Sequence, residues 1–309
     1  MRTKWLRIAI LFKILKQNSS LNKNNFYHMK NKILLLSFIL YHFLVFSQTD
    51  NRATLSHTYF APANNSNIEN FNQSNVDFGY NLKSRMIAKK VKWDNSFGYK
   101  ANFFDGGIGQ NFQDINYVSS FVYTKNRKNF LIGNLRLNYR SQINRDASLD
   151  AIFPTVSAGY MRQSQNNKSI RWAIGVNYNN DFGKNVILPF FMFNYETEKL
   201  KFNATLPSSI LLLIRNKENF HYGLNATLSS AIFQADNVPK GKIQILNANM
   251  FAFAQIKLYK KLWLEAKPGF TIRRDFNFLQ SNFEPVPTNG SNRFDPNFVF
   301  VSSLIYKMN

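Results

Sequence analysis

Cysteine is absent from the 309 residues, which excludes disulfide frameworks, Cys-ligated zinc, iron–sulfur clusters and thiol catalysis. It leaves the compartment open, because an exported protein can do without disulfides. Charge is also scarce, at 18% of residues, whereas Phe occurs 31 times and Tyr 14 times. A chain so aromatic and so weakly charged is not intrinsically disordered. After residue 47 no apolar run reaches the roughly 18 residues of a spanning helix, and the mean hydropathy of −0.30 excludes a bundle of such helices.

Acidic residues are the minority charge, 17 against 39 Lys and Arg, for a formal net charge of +22. A nucleic-acid reading has to explain where that charge lies. Residues 1–47 contribute Arg2, Lys4, Arg7, Lys13, Lys16, Lys23, Lys30 and Lys32 with no Asp or Glu, which is 8 of the 22. The remaining 31 basic and 17 acidic residues are spread along the chain without a basic tail or a long Lys/Arg run. No nucleic-acid partner is expected from that distribution. The richness in Asn, Lys, Phe and Ile also matches the codon bias of an AT-rich genome.

Met29-Lys30-Asn31-Lys32 precedes an apolar run at residues 33–46 (ILLLSFILYHFLVF), and Ser47-Gln48 follows. A basic start, an apolar core of about 14 residues and a small residue at the end make a secretory signal peptide. The run is too short to span a bilayer as a helix. We expect a signal peptide at 29–47, cleavage after Ser47 and a mature domain at 48–309. Residues 1–28 (beginning MRTKWLRIAILFKILK) are expected to be a spurious extension, with translation starting at Met29. The alternative for them is an amphipathic membrane-surface helix.

Beyond residue 48 the pattern has period two. In residues 131–140, Leu131, Gly133, Leu135, Leu137 and Tyr139 alternate with Asn134, Arg136, Asn138 and Arg140. Residues 170–179 repeat this with Ile170, Trp172, Ile174, Val176 and Tyr178 on one side and Arg171 and Asn177 on the other. Residues 220–229 repeat it again, with Tyr222 and Leu224 opposed to His221 and Asn225. A soluble sandwich also alternates, but segments of about 10 to 13 residues exceed ordinary strands and suit a tilted membrane crossing. Tyr99, Tyr123, Tyr139, Tyr160, Tyr178, Tyr195 and Tyr306 are placed to form interfacial girdles. Short links (such as 126–129 and 216–219) alternate with mostly longer ones (such as 104–113 and 275–293). With a first strand at 52–61 the parity holds throughout and gives 14 strands. Merging or dropping the short pair around Pro207-Ser208 would give 12. Because a sheet in lipid cannot leave an edge unpaired, the expected fold is all-β, a closed antiparallel transmembrane β-barrel.

The last segment, residues 297–309 (NFVFVSSLIYKMN), resembles the C-terminal assembly signal of bacterial outer-membrane barrels through Phe298, Phe300, Leu304 and Tyr306. It departs from that signal in ending Lys307-Met308-Asn309 rather than on an aromatic residue. More broadly, residues 48–309 resemble the uncharacterised outer-membrane β-barrel families of Gram-negative bacteria, and the stretch around Leu206-Pro207-Ser208 is similar to them too. That resemblance implies an outer-membrane location, lipid and lipopolysaccharide around the barrel, and passage through the barrel assembly machinery. It carries no catalytic motif.

The chemistry-bearing residues are few. His57 and His221 are the only His residues of the mature chain, and neither has metal-ligand company at usable spacing. His221 shares the polar side with Asn225 and Ser229, a thin basis for a nucleophile and base. Asp105-Gly106-Gly107-Ile108-Gly109 lacks the Lys-Ser/Thr and the strand-to-helix setting of a phosphate loop. We expect no catalytic, cofactor or metal site. The sequons at Asn203 and Asn225 fall inside strands and carry no weight.

One constellation remains. The alternation puts Lys83, Arg85, Lys100, Arg136, Arg140, Arg171, Lys201, Lys267 and Arg273 on the polar side, against Asp77, Asp94 and Glu265. A lumen with that surplus favours anionic solutes. Two readings follow: a porin-like channel for small polar or anionic solutes, and a non-conducting barrel that anchors a surface or secretion assembly. A barrel enzyme is the disfavoured third.

Overall fold

The computed structural model describes residues 52–63, 71–82, 84–105, 110–164, 167, 169–181, 185–235, 241–280 and 293–307. The expected signal segment, the 1–28 extension, Lys83, Gly106 to Gly109 and residues 281–292 of the last long link lie outside the described residues.

Alternation at period two turns into strands wherever β-branched and aromatic side chains can cover one face. The strands are β1 (Arg52–Ala63), β2 (Phe71–Asn81), β3 (Arg85–Ala88), β4 (Val91–Asp105), β5 (Phe112–Thr124), β6 (Asn129–Gln142), β7 (Ile152–Gln163) and β8 (Ile170–Asn179). They continue with β9 (Val186–Glu196), β10 (Leu200–Leu206), β11 (Ser209–Lys217), β12 (Phe220–Gln234), β13 (Lys242–Tyr259), β14 (Leu262–Leu279), β15 (Arg293–Phe294) and β16 (Asn297–Lys307). β3 prolongs β2 along β4, and β15 is a short addition to β14. The other 14 form the wall, each antiparallel to its neighbours, and β1 closes on β16 from Arg52↔Lys307 to Phe60↔Val299. The result is a closed barrel of 14 strands. Twelve is excluded because β10 and β11 hold their own ladders to β9 and β12.

The apolar side of the alternation faces out. Leu135, Leu137, Ile174, Val176 and Leu224 are exposed large hydrophobics, while Asn138, Ala173 and His221 between or beside them are buried. Short links close tightly at the terminal rim, where β1 begins and β16 ends. In one, Asn126 Oδ1 accepts from the Lys128 and Asn129 amides at 3.1 and 2.9 Å. In another, Thr197 Oγ1 accepts from the Leu200 amide at 3.0 Å. Near this rim Trp93 stacks on Phe121 and donates its indole N–H to Ser119 at 2.7 Å. Trp172 meets Tyr160 edge to face. Tyr123, Tyr160, Tyr195 and Tyr306 sit within four residues of strand ends at this rim, but Tyr99 lies mid-strand opposite Phe78.

Two irregularities redirect side chains. A bulge after Thr271 shifts the β13–β14 register, so that Arg273 pairs with Ala248 and its side chain is 55% exposed, while Arg274 turns inward and is fully buried. The interruption at residues 82–84 shifts β3 relative to β2, and Arg85 pairs with Trp93 of the outer face. Both residues therefore leave the lumen face that simple alternation assigns them.

At the far rim the interior is filled. Phe71, Phe104, Phe112, Phe233, Phe276 and Phe294 pack with Ala63, Ala235, Ile243 and Ile245 into one buried cluster. Arg274 lies over the Phe60 and Phe71 rings, 4.6 and 4.8 Å from their centroids, and donates to Gln73 Oε1 at 2.5 Å. Beside this cluster β12 leaves the cylinder: above Thr227 it has no β11 partner, and Gln234 pairs in parallel with Ser141 of β6. Its Ile232 is buried against Phe153 and Leu279. The β10–β11 hairpin ends far below, at Pro207-Ser208, so β9 residues 186–190 have no β10 partner.

Candidate functional site

Below the crossing of β12 lies an internal cavity of about 760 Å³, bordered by β4 to β9, β12, β13 and the tip of the β10–β11 hairpin. Its two sides differ chemically. Lys100, Asn134, Arg136, Arg140, Ser157 and Asn177 line it from β4 to β8, together with the apolar Val122, Ile132 and Met161. Leu188, Phe190, Met192 and Leu206 line it from β9 and β10. The difference is written in sequence: β9 (VILPFFMFNYE) and β11 (SILLLIRNK) abandon the alternation and are apolar on both faces over most of their length.

Two glycines make room for the apolar side. Gly159, Gly175 and Phe190 are in register across β7, β8 and β9. A Cβ on Gly175 would lie 2.5 Å from a Phe190 ring carbon, and one on Gly159 2.9 Å from the same ring. The ring therefore lies flat across the inner wall.

Ion pairing sorts the expected basic residues. Arg140 is held by Asp114 at 2.9 Å and Asp181 at 2.5 Å, tying β5 and β6 to the link after β8. Lys100 stands 3.9 Å from Asp77. Lys201 shares Glu196 with Arg215, at 3.9 and 2.6 Å, and Lys267 binds Glu265 at 2.8 Å. Among the described residues Arg136 has no ion-pair partner. Of the sequence candidates, the cavity brings together Lys100, Arg136 and Arg140, whereas Arg85, Arg171, Lys201 and Lys267 are not among its lining residues. With one guanidinium between two carboxylates the Arg140 cluster is net negative, and Arg136 is the lining cation without a carboxylate partner among the described residues.

Several buried polar atoms of the lining lack a hydrogen-bond partner: Asn102 Nδ2, Thr155 Oγ1, Asn247 Oδ1 and Asp114 Oδ1. Buried polar groups are almost always satisfied, and these atoms are exceptions along the lining. His221 lies elsewhere, against Trp263 near the terminal rim, with a 4.6 Å centroid separation and an unpartnered Nδ1.

Sequence reasoning missed the far-rim cluster and the carboxylates on Arg140. Phe104, Phe112 and Phe233 occupy lumen positions of their strands, an aromatic on the polar parity, which is a usable signal. Asp114 is likewise on the lumen parity of β5, opposite Arg140. Asp181, in a link, carries no such signal.

Residues 128–307 match the model of a family described as "Domain of unknown function (DUF6268)". No curated protein matches the chain. Among solved structures, it is similar to the translocator domain of autotransporter NalP from Neisseria meningitidis, at 12% identity over 92% of this chain and 97% of that one, with a TM-score of 0.35. It is also similar to the COG4313 outer membrane channel from Pseudomonas putida F1, at 10% identity over 84% and 95%, TM-score 0.42. LpxR from Salmonella typhimurium is a third, at 6% identity over 83% and 99%, TM-score 0.33. Nothing about activity follows from these.

Proposed function

The chain belongs to the DUF6268 family, and from that premise we propose that it is an exported barrel of a Gram-negative outer membrane, acting as a narrow channel for small polar or anionic solutes. The observation that carries the solute class is Arg136, a guanidinium that lines the cavity without an ion-pair partner among the described residues. Arg keeps its charge in any lumen environment, and a low-dielectric wall focuses its field on the cavity.

The membrane location is supported by the outer face, where large apolar residues such as Leu135, Ile174, Val176, Leu224, Phe270 and Leu304 are exposed around the wall. Soluble proteins rarely expose contiguous apolar surface of that extent, and ring closure removes the unpaired edge that lipid forbids. In this reading the terminal rim faces the periplasm, lipid and lipopolysaccharide surround the wall, and the barrel assembly machinery inserts it.

The second reading, a non-conducting structural barrel, is favoured by one observation: the aromatic cluster that fills the far rim. Planar-bilayer recording of the purified protein decides between them. The channel reading expects a small, anion-preferring current that loses its preference in Arg136→Gln. A cation-selective current overturns it, and no current at all favours the structural barrel.

A further inference from the structure

We infer that the cavity is loaded sideways, through a window in the wall above the β10–β11 tip, by a single-chain amphiphile with an anionic head group. This rests on the channel reading above and names the substrate class of the same cavity.

The window has four sides. Its floor is the tip at Pro207-Ser208, where the Leu228 amide still donates to the Ser208 carbonyl at 2.8 Å. One flank is β9 residues 186–190, which have no β10 partner, and the other is β12 beyond Leu228, which has no β11 partner. The roof is the Asp181 carbonyl, which accepts from Ser230 Oγ and, at 3.1 Å, from Gln244 Nε2. Thr205, Leu206, Pro207, Ser208, Leu188, Pro189 and Ser229 all border the cavity, so the cavity reaches this gap.

The level of the gap identifies the medium outside it. Ile187 and Phe191 on the β9 flank point outward and are 70% and 42% exposed, continuing the lipid-facing band past the height of the tip. A stretch of wall without backbone partners is disfavoured in hydrocarbon, each unsatisfied group costing several kcal/mol. Such a gap at this height is therefore a feature the rest of the barrel has to support. At the far rim the Phe71, Phe104, Phe276 and Phe294 stack fills the interior beside the cavity.

The cavity lining then specifies the ligand. Leu188, Phe190, Met192 and Leu206 stand next to the window and suit an alkyl chain, whereas Arg136, with Thr155 opposite it in register, lines another part of the wall and suits a charged, hydrogen-bonding head. A volume of about 760 Å³ falls within the roughly 300–1,000 Å³ of small-molecule sites. A carboxylate or phosphate head would supply Arg136 with the partner it lacks.

The test uses the absence of cysteine among the described residues and in the whole sequence. Ser208→Cys puts a single thiol on the window floor, and Leu135→Cys puts a control thiol on the outer face of β6. The folded proteins, in vesicles, are labelled with a bulky, reducible thiol reagent, and loading of a fluorophore-labelled long-chain carboxylate is followed, delivered either within the bilayer or from the aqueous phase. Labelled Ser208→Cys should load the bilayer-delivered probe about tenfold more slowly and recover on reduction, while labelled Leu135→Cys is unaffected. Arg136→Gln should weaken the carboxylate about tenfold, the scale of one charged contact, and leave the uncharged alcohol of equal chain length unchanged. Equal loading with and without the Ser208→Cys label, or loading from the aqueous phase alone, overturns the lateral route. Equal affinity for acid and alcohol overturns the head-group assignment. Chloride permeability of the same vesicles reads the channel proposal separately: its loss with amphiphile loading intact removes that reading alone.

Discussion

Gln234 of β12 pairs in parallel with Ser141 of β6, although five wall strands, β7 to β11, separate the two around the cylinder. The contact lies between the aromatic-filled part, to which β1, β2, β4, β5 and β12 to β15 contribute, and the cavity bordered by β4 to β9, β12 and β13.

The aromatic fill should act as a stopper. Phe104→Ala combined with Phe276→Ala removes two members of the cluster and should raise single-channel conductance severalfold, at a stability cost of about 3 to 5 kcal/mol for each ring. Unchanged conductance in a folded double variant would show that the axial path is sealed elsewhere.

Arg140 and Arg136 should separate stability from selectivity. Removing Arg140 strands Asp114 and Asp181, and breaking a buried pair typically costs about 3 to 5 kcal/mol. Arg136→Gln should leave urea unfolding in lipid vesicles within about 0.5 kcal/mol of wild type, the usual range for substitutions that break no such feature, while lowering the anion-to-cation permeability ratio. The reverse pattern would exchange the two roles.

Face assignment is checked on β8. Ile174 is 52% exposed and points outward, whereas Asn177 lines the cavity. Ile174→Arg should destabilise by about 2 to 4 kcal/mol if it meets the bilayer midplane, with Asn177→Arg milder. Equal effects in folding titrations would contradict the assignment.

Gly175→Ala should be poorly tolerated, because its Cβ would meet the Ala158 carbonyl and the Phe190 ring, while Gly79→Ala meets nothing within 4 Å and should be near neutral. Thermal unfolding in detergent compares the two.

Export predicts a mature N-terminus near Gln48, readable by mass spectrometry of the membrane fraction. An intact chain in the cytosol would remove the outer-membrane proposal.

What the sequence by itself determined is the local part. Alternation such as Leu135-Arg136-Leu137 assigns a face to each residue, because successive side chains in a strand point to opposite sides. Link lengths then give the strand count, and ring closure follows from the impossibility of an open edge in lipid. Lys100, Arg136 and Arg140 could be placed inside on that basis alone. Only the tertiary structure decided which of them is neutralised, since Asp181 reaches Arg140 across 41 residues of chain, a contact no periodicity encodes. It also decided Arg273 and Arg85, where a bulge and a strand break shift the register and move a side chain from one face to the other. The lean of β12 onto β6 came from the same source: a strand's partner is fixed by how much wall its neighbours supply, and a hairpin ending at Ser208 leaves the upper part of β12 to find its partner elsewhere.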